Sequence, residues 1–412
     1  MSTIIVGAGI IGVSTAYYLS SSPSQTANSI HLIDSSPRLF ASASGYAGGF
    51  LAKDWFSPAV APLGALSFRL HKELAEQHNG KEKWGYSRST GVSYAAGSED
   101  ETGRGERGED WLRDGSSRAE MAGEHEFVDG KGPAWLTRGE GDNMDVMSQD
   151  DSTAQLDPRR LCEFLLGECE KRGVKVHYPA RALSVAEDLK GELSSVRVLG
   201  EVDVETDIPC TKLVITAGAW TPQVFFTLFP RAKLKLPVSS LAGHSLVVRS
   251  PRWSENHEAQ GCHAVFTTDP AGFSPEIFSR VGGEIYIAGL NSNSIPLPKV
   301  ATETEIDSDA IAHLRRVATK LLGISGRGDD LSVVREGLCF RPVTPNGKPI
   351  ISRVPDGKLG DSCSTRGQGD GGVFLSAGHG PWGISMSLGT GSILAELIEA
   401  KNPSVDVRSL GL

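Results

Sequence analysis

The first thirty-four residues constrain this chain more than any other stretch. Thr3-Ile4-Ile5-Val6 is a β-branched run that reads as a strand, and Gly7-Ala8-Gly9-Ile10-Ile11-Gly12 follows at once. An apolar-periodic helix is expected from Val13 to about Ser20. A second strand, Ile30-His31-Leu32-Ile33, then closes on Asp34, 22 residues beyond the last glycine. Gly7 makes a tight turn, Gly9 lets a backbone approach a pyrophosphate, and Gly12 lets the helix pack closely on the strand. The helix N-terminus offers N–H groups and a positive dipole end to phosphates. Asp34 is placed to accept from ribose hydroxyls, and its charge disfavours a 2′-phosphate. A glycine-rich turn in an ordinary βαβ unit is the competing reading, but the strand, helix and distal acid together point to a dinucleotide. FAD and NAD both fit this pattern.

A chain of 412 residues has room for two sizeable cores. Its net charge of −9 is uneven: residues 97–151 hold sixteen acids and six bases, so the remainder sums to about +1. That leaves no basic face for nucleic acid. No apolar run reaches the ~18 residues of a membrane span. The first strand begins at residue 3, which leaves no room for a leader peptide, and Ser409-Leu410-Gly411-Leu412 is not a peroxisomal address. Six cysteines (162, 169, 210, 262, 339 and 363) lie scattered without metal-ligand spacing. Free thiols, no metal and a cytoplasmic location are expected.

Further along, Ala41 to Trp55 is dominated by small residues, as expected where backbone approaches a flat ligand. Helices are predicted over 63–77, Pro158 to Glu170 and Ser308 to Leu322, and strands over 174–177, 212–216 and 373–376. Short strands are expected through 182–208. Strand-like alternation at 245–248, 264–267 and 284–287 suggests an antiparallel sheet. A glycine turn at Gly378, Gly380 and Gly383 leads into a last helix ending near Ala400. Residues 97–151, with ten glycines and little periodicity, read as a mostly irregular acidic surface insertion touching the body at Trp111, Trp135 and Leu136.

Taken together, these pieces resemble the D-amino-acid oxidase family of FAD-dependent oxidoreductases, which includes glycine, sarcosine and fructosyl-amine oxidases. Four segments between residue 3 and about 400 carry the resemblance: the fingerprint ending in Asp34, the small-residue segment Ala41 to Gly49, Leu213-Val214-Ile215-Thr216-Ala217-Gly218-Ala219-Trp220, and Gly378-His379-Gly380 with its helix. Cys339-Phe340-Arg341-Pro342 looks like a fifth, and Gly48-Gly49-Phe50-Leu51-Ala52 is similar to a eukaryotic branch. The resemblance implies an α/β fold with an α+β second domain. A Rossmann-type FAD-binding domain (1–90, 151–228 and 336–412) would be interleaved with a substrate domain (91–150 and 229–335) built on a large mixed or antiparallel sheet.

The same resemblance implies cofactor contacts at Gly7, Gly9, Ile10, Ile11, Gly12, Asp34 and Ser35. Others fall at Ser42, Ala43, Ser44, Gly48, Gly49, Phe50 and Leu51, and at Ala217, Gly218 and Trp220. The last group is Cys339, Gly378, His379, Gly380, Trp382, Gly383 and Ile384. Arg341 stands where the family binds a substrate carboxylate, and a guanidinium fork suits that task. The competing reading pairs it with Glu336. Cys339 matches a cysteine that is covalently bound to flavin in some members, yet Phe340-Arg341-Pro342 follows the non-covalent ones, so non-covalent FAD is expected. Lys53 is read as a cation near the flavin, against a plain surface lysine. Trp382 is read as lining a substrate pocket, against a core residue. The implied reaction is oxidation of the C–N bond of an amino acid or N-substituted amine by hydride transfer to flavin N5, giving an imine and, with O2, H2O2. A flavin dehydrogenase of a hydroxy acid and a flavin-binding interaction protein are the alternatives. The partner is a small molecule; nothing in the sequence sets the oligomeric state.

Overall fold

The computed structural model describes residues 2–24, 26–95, 132–139, 142–148, 151–268, 274–360 and 363–412. Its strands, in chain order, begin with β1 (Thr3–Val6), β2 (Ile30–Ile33), β3 (Phe50–Ala52), β4 (Ser87–Ala95), β5 (Asn143–Ser148) and β6 (Thr153–Gln155). Next come β7 (Lys175–His177), β8 (Arg181–Glu187), β9 (Leu193–Leu199), β10 (Glu205–Pro209), β11 (Lys212–Ile215) and β12 (Ser239–Arg249). The last are β13 (Cys262–Thr268), β14 (Glu276–Ser279), β15 (Glu284–Ser292), β16 (Ser332–Val343), β17 (Ile350–Val354) and β18 (Gly372–Ala377). Among the described residues they form a six-stranded sheet (β17-β18-β11-β1-β2-β7), a three-stranded sheet (β10-β9-β8) and a nine-stranded sheet. The nine-stranded sheet runs β16-β12-β15-β14-β13-β4-β6-β3, with β5 beside β4.

The six-stranded sheet is parallel except for β17 against β18. Its central strands bury both faces, the usual state of a parallel sheet. Ile5 and Val214 join a core on one side, while Ile4, Val6, Leu213 and Ile215 join a second core on the other. The first side is covered by α1 (Ile10–Ser21) and a C-terminal helix, Ser387–Ile398. In the nine-stranded sheet, Leu246, Val248, Ile285 and Ile287 face the amphipathic helix Ser308–Leu322. Val247, Tyr286 and Ala288 face the other way, toward the core shared with α1. Asp307 caps the Ser308–Leu322 helix by accepting from the N–H groups of Asp309 and Ala310.

Where the 97–151 insertion is described, it is irregular apart from one strand. Asn143–Ser148 pairs antiparallel with β4, because Met144 and Met147 find buried places that offset the acidic composition around them. Trp135 and Leu136 are buried as expected, and the Thr137 N–H donates to the Leu321 carbonyl at 2.7 Å. Trp111 and the rest of the acidic run lie outside the described residues. The large sheet is mixed, in line with the mixed or antiparallel sheet expected: β13 pairs β4 in parallel, while β12 pairs β15 and β16 antiparallel. Residue 336 lies within β16, a strand of the nine-stranded sheet. No helix among the described residues is long and apolar enough to cross a membrane. All six cysteines are free and buried, and no metal-holding cluster occurs among the described residues.

Trp135 is 1% exposed and packs with Leu246, Val265 and Leu314 in the core beneath the nine-stranded sheet. Trp135→Ala is expected to cost about 3–5 kcal/mol of stability by leaving a cavity there. A shift in the denaturant midpoint checks this; an unchanged midpoint shows that the segment does not belong to the core.

Candidate active site

A cavity of about 440 Å³ lies between residues of the six-stranded and nine-stranded sheets. One end is built by the β1–α1 turn. Gly7 has φ +103°, a conformation that only glycine adopts without strain, and it places the following residues over the carboxyl end of β1. A Cβ at Gly12 would overlap the Gly7 carbonyl, so α1 sits directly against the strand. The Ile10 N–H, at the start of α1, donates to the Ser44 hydroxyl at 2.9 Å. Ser44 and the helix N-terminus thus meet at one point of the cavity wall, a fitting place for an anion. The Asp34 carboxylate accepts from the N–H groups of Ala8 (2.8 Å) and Ser36 (2.9 Å). Burial raises its pKa and these two donors pull it back, yet the side chain still borders the cavity.

The middle of the cavity is walled by the small-residue segment. Ser42, Ala43, Ser44, Gly48, Gly49 and Phe50 line it, with Ser42 Oγ accepting from the Phe340 N–H at 3.2 Å. A Cβ on Gly48 would strike the Phe278 ring at 2.5 Å, so this backbone runs flush against the nine-stranded sheet. Across from it, Ala217, Gly218 and Trp220 follow β11, and His379, Gly380, Gly383 and Ile384 follow β18. A Cβ at Gly218 or Gly380 would meet nothing within 4 Å, so at both positions the backbone borders open space. The His379 Nε2 lies 3.1 Å from the Thr390 hydroxyl, and burial lowers its pKa to about 4, which keeps the ring neutral. An anion-ready helix end, a ribose-ready acid and a flat slot lined by glycine backbone together fit FAD.

The far end of the cavity holds Arg341, Tyr286, Glu276 and Phe278. Arg341 donates to Asn291 Oδ1 and hydrogen-bonds the Tyr286 hydroxyl. Burial opposes its charge, but Cys339, Tyr286 and Glu276 more than offset this and hold its pKa above the usual value. Glu336 is not its partner: β16 alternates, so residues five apart face opposite ways, and Glu336 is exposed. A Cβ at Gly243 on β12 would overlap the Arg341 guanidinium, so a bare backbone there gives it room. Cys339 also lines the cavity, and burial raises its thiol pKa.

Ser35, Ile10, Ile11, Gly7 and Gly9, read from the sequence as cofactor contacts, line the cavity, whereas five other residues so read or assigned to substrate do not. Gly12 serves the helix–strand contact. Leu51 is fully buried within β3, and Gly378 makes a turn (φ +82°) against Thr344. Lys53, expected beside the flavin, is exposed; its N–H donates to the Ser152 carbonyl as β3 ends. Trp382, expected in the substrate pocket, packs edge-on against Phe56 at 4.8 Å in the core. Conversely, Tyr286, Glu276, Asn291 and the Lys299–Ala301 edge were not anticipated. Alternation with Ile285 and Ile287 was the available signal for Tyr286; Asn291 has none, because its link to Arg341 spans strands.

Two substitutions test the cofactor end. Gly9→Val is expected to abolish FAD binding, because its side chain fills the space between α1 and Ser44, 3.1 Å from a Cβ. A folded, fully yellow variant overturns that placement. Asp34→Ala is expected to weaken FAD by roughly 1–3 kcal/mol, about tenfold to a hundredfold. Titration of apoprotein with FAD checks it.

Comparison with known proteins agrees with this geometry. A Schizosaccharomyces pombe protein, C1F5.03c, provisionally designated an oxidoreductase, is 28% identical and aligns over 96% of this chain and 93% of its own. A glycine oxidase from Geobacillus kaustophilus superposes with a TM-score of 0.71 at 19% identity, covering 100% of this chain and 98% of its own. An L-proline dehydrogenase from P. horikoshii gives a TM-score of 0.71 at 14% identity, covering 100% and 96%. The family model described as DAO, FAD dependent oxidoreductase, matches residues 2–397. With that match over nearly its whole length, the chain belongs to the DAO family of FAD-dependent oxidoreductases.

Proposed function

We propose that this enzyme oxidises the C–N bond of an amino acid or N-substituted amine carrying a carboxylate, using non-covalently bound FAD. The observation that carries this reading is the Arg341 guanidinium in the cavity wall, oriented by Asn291 and Tyr286. The likeness in fold to a glycine oxidase and an L-proline dehydrogenase, both named for amino-acid substrates, supports it.

FAD, when bound, supplies the hydride acceptor. The chain's own part is binding and orientation. Arg341 presents a planar fork that takes a carboxylate by two parallel hydrogen bonds, which fixes the α-carbon relative to the flavin slot. Tyr286 and Asn291 hold the fork in one plane. Phe278 and Phe50 supply apolar wall to the slot, and the His379 ring beside them is neutral. Burial keeps Cys339 protonated, and a thiol is a poor nucleophile, which supports non-covalent attachment. In this reading the six-stranded sheet belongs to the cofactor domain and the nine-stranded sheet to the substrate domain. Six free cysteines support a reducing compartment such as the cytoplasm.

Anaerobic loss of flavin colour, screened over D- and L-amino acids, N-alkyl amines and hydroxy acids, tests the substrate class independently of the electron acceptor. Reduction by hydroxy acids alone overturns it. Arg341→Ala is expected to lower kcat/KM by about 2–4 kcal/mol, roughly thirty- to nearly a thousandfold, with Arg341→Lys between it and wild type. FAD content should not change, and benzoate should perturb the wild-type flavin spectrum but not that of Arg341→Ala. Normal turnover by Arg341→Ala rules out carboxylate docking. Acid precipitation is expected to leave all yellow colour in the supernatant; colour in the pellet refutes non-covalent binding.

A further inference from the structure

Behind the small-residue segment, outside the cavity, lies Arg280. It is 4% exposed and follows β14. Its Nη2 donates to the carbonyls of Ala47 (2.8 Å) and Gly48 (3.1 Å). Its Nη1 lies 3.5 Å from Asp157 Oδ2, and its guanidinium sits over the Tyr286 ring at 5.4 Å. Gln155 Nε2 donates to the same Gly48 carbonyl at 2.6 Å. A second arginine, Arg335 on β16, donates to the Gly45 carbonyl at 3.0 Å and lies 5.1 Å from the Tyr46 ring.

Burying a guanidinium is costly unless it is paired and hydrogen-bonded. The Nε of Arg280 has no hydrogen-bond partner among the described residues, so the site tolerates an orphaned donor as well. What that arrangement achieves is control of one short stretch of backbone. In a trans peptide the carbonyl and the following N–H point opposite ways. Holding the Ala47 and Gly48 carbonyls on the arginine side turns the N–H groups of Gly48 and Gly49 to the other side. Those two residues line the cavity, whereas Arg280 does not. Gly49 accepts this orientation with φ +91°.

We propose that Arg280 is a positioning residue for the flavin: it fixes the 47–49 backbone so that the Gly48 and Gly49 N–H groups donate to the electron-rich edge of the ring. Two fixed donors stabilise the negative charge that builds on the ring when it gains electrons. Arg280 therefore raises both FAD affinity and the reduction potential, acting through peptide groups and touching neither cofactor nor substrate. This rests on FAD binding and not on the amine substrate, so its test uses no substrate.

The experiment titrates apoprotein of Arg280→Met and Arg280→Lys with FAD and measures the midpoint potential of each holoprotein by equilibration with reference dyes. Melting temperatures of the apoproteins are read in parallel. Arg280→Met is expected to bind FAD about tenfold more weakly, from the loss of charge-assisted bonds. Its preference for reduced over oxidised flavin should fall about tenfold, which lowers a two-electron potential by about 30 mV. Arg280→Lys keeps a charge opposite Asp157 but loses the two-carbonyl fork, so it should fold and show the same changes at smaller amplitude. If Arg280→Met does not fold, Arg280→Lys decides the matter alone. Variants that bind FAD as tightly as wild type at an unchanged potential overturn the proposal. So does a fall in melting temperature with no change in either flavin property, since that marks Arg280 as structural only.

Discussion

The contact on which the rest depends is the seating of α1 against β1. Gly12 lies so close to the Gly7 carbonyl that no side chain fits between them. The Thr216 hydroxyl donates to that same carbonyl at 3.0 Å from the end of β11, which locks the neighbouring strand to the turn. On its outer side α1 meets the C-terminal helix at Gly391, where a Cβ would come within 2.6 Å of Ser14 backbone. Close approach on both sides fixes the direction of α1, and that direction sets where its N-terminal dipole points. A looser helix would still fold, but its N–H groups would no longer converge with Ser44 and Asp34 on one face.

Opposite this rigid turn stands a sheet that works mainly through guanidinium groups. Arg280 and Arg335 reach back to carbonyls of the small-residue segment, and Arg341 reaches forward to the far end of the cavity. Alternation along the strands separates these tasks from the hydrophobic one. Ile285 and Ile287 hold the helix beneath, while Tyr286 between them serves the cavity. One layer of chain thus has a dry structural face and a chemically specialised face.

Much of this was legible because it is local. The Ser308–Leu322 helix follows from its amphipathic spacing, and the central strands follow from β-branched runs bounded by glycine. The glycine fingerprint places the phosphate end, since that site is built within one βαβ unit. What stayed hidden is non-local. Arg341 and Asn291 lie 50 positions apart and meet only through sheet pairing. Asn143–Ser148 was masked by the acids and glycines around it, although β4 gives it a partner. Lys53 and Trp382 do not line the cavity, although each lies close in sequence to residues that do. Lys53 follows β3 at an exposed bend, and the turn holding Trp382 packs it against Phe56.

The interleaving of the two sheets has a consequence for how this protein comes into being. The cavity wall draws on residues from Val6 to Ile384, and β1 is flanked by β2 on one side and by β11, some two hundred residues later, on the other. A growing chain therefore carries an open sheet edge beside its phosphate-binding turn until β11 has been made, and lacks the final wall until β18 has been made. The cavity is therefore incomplete until β18 and the residues up to Ile384 have been made.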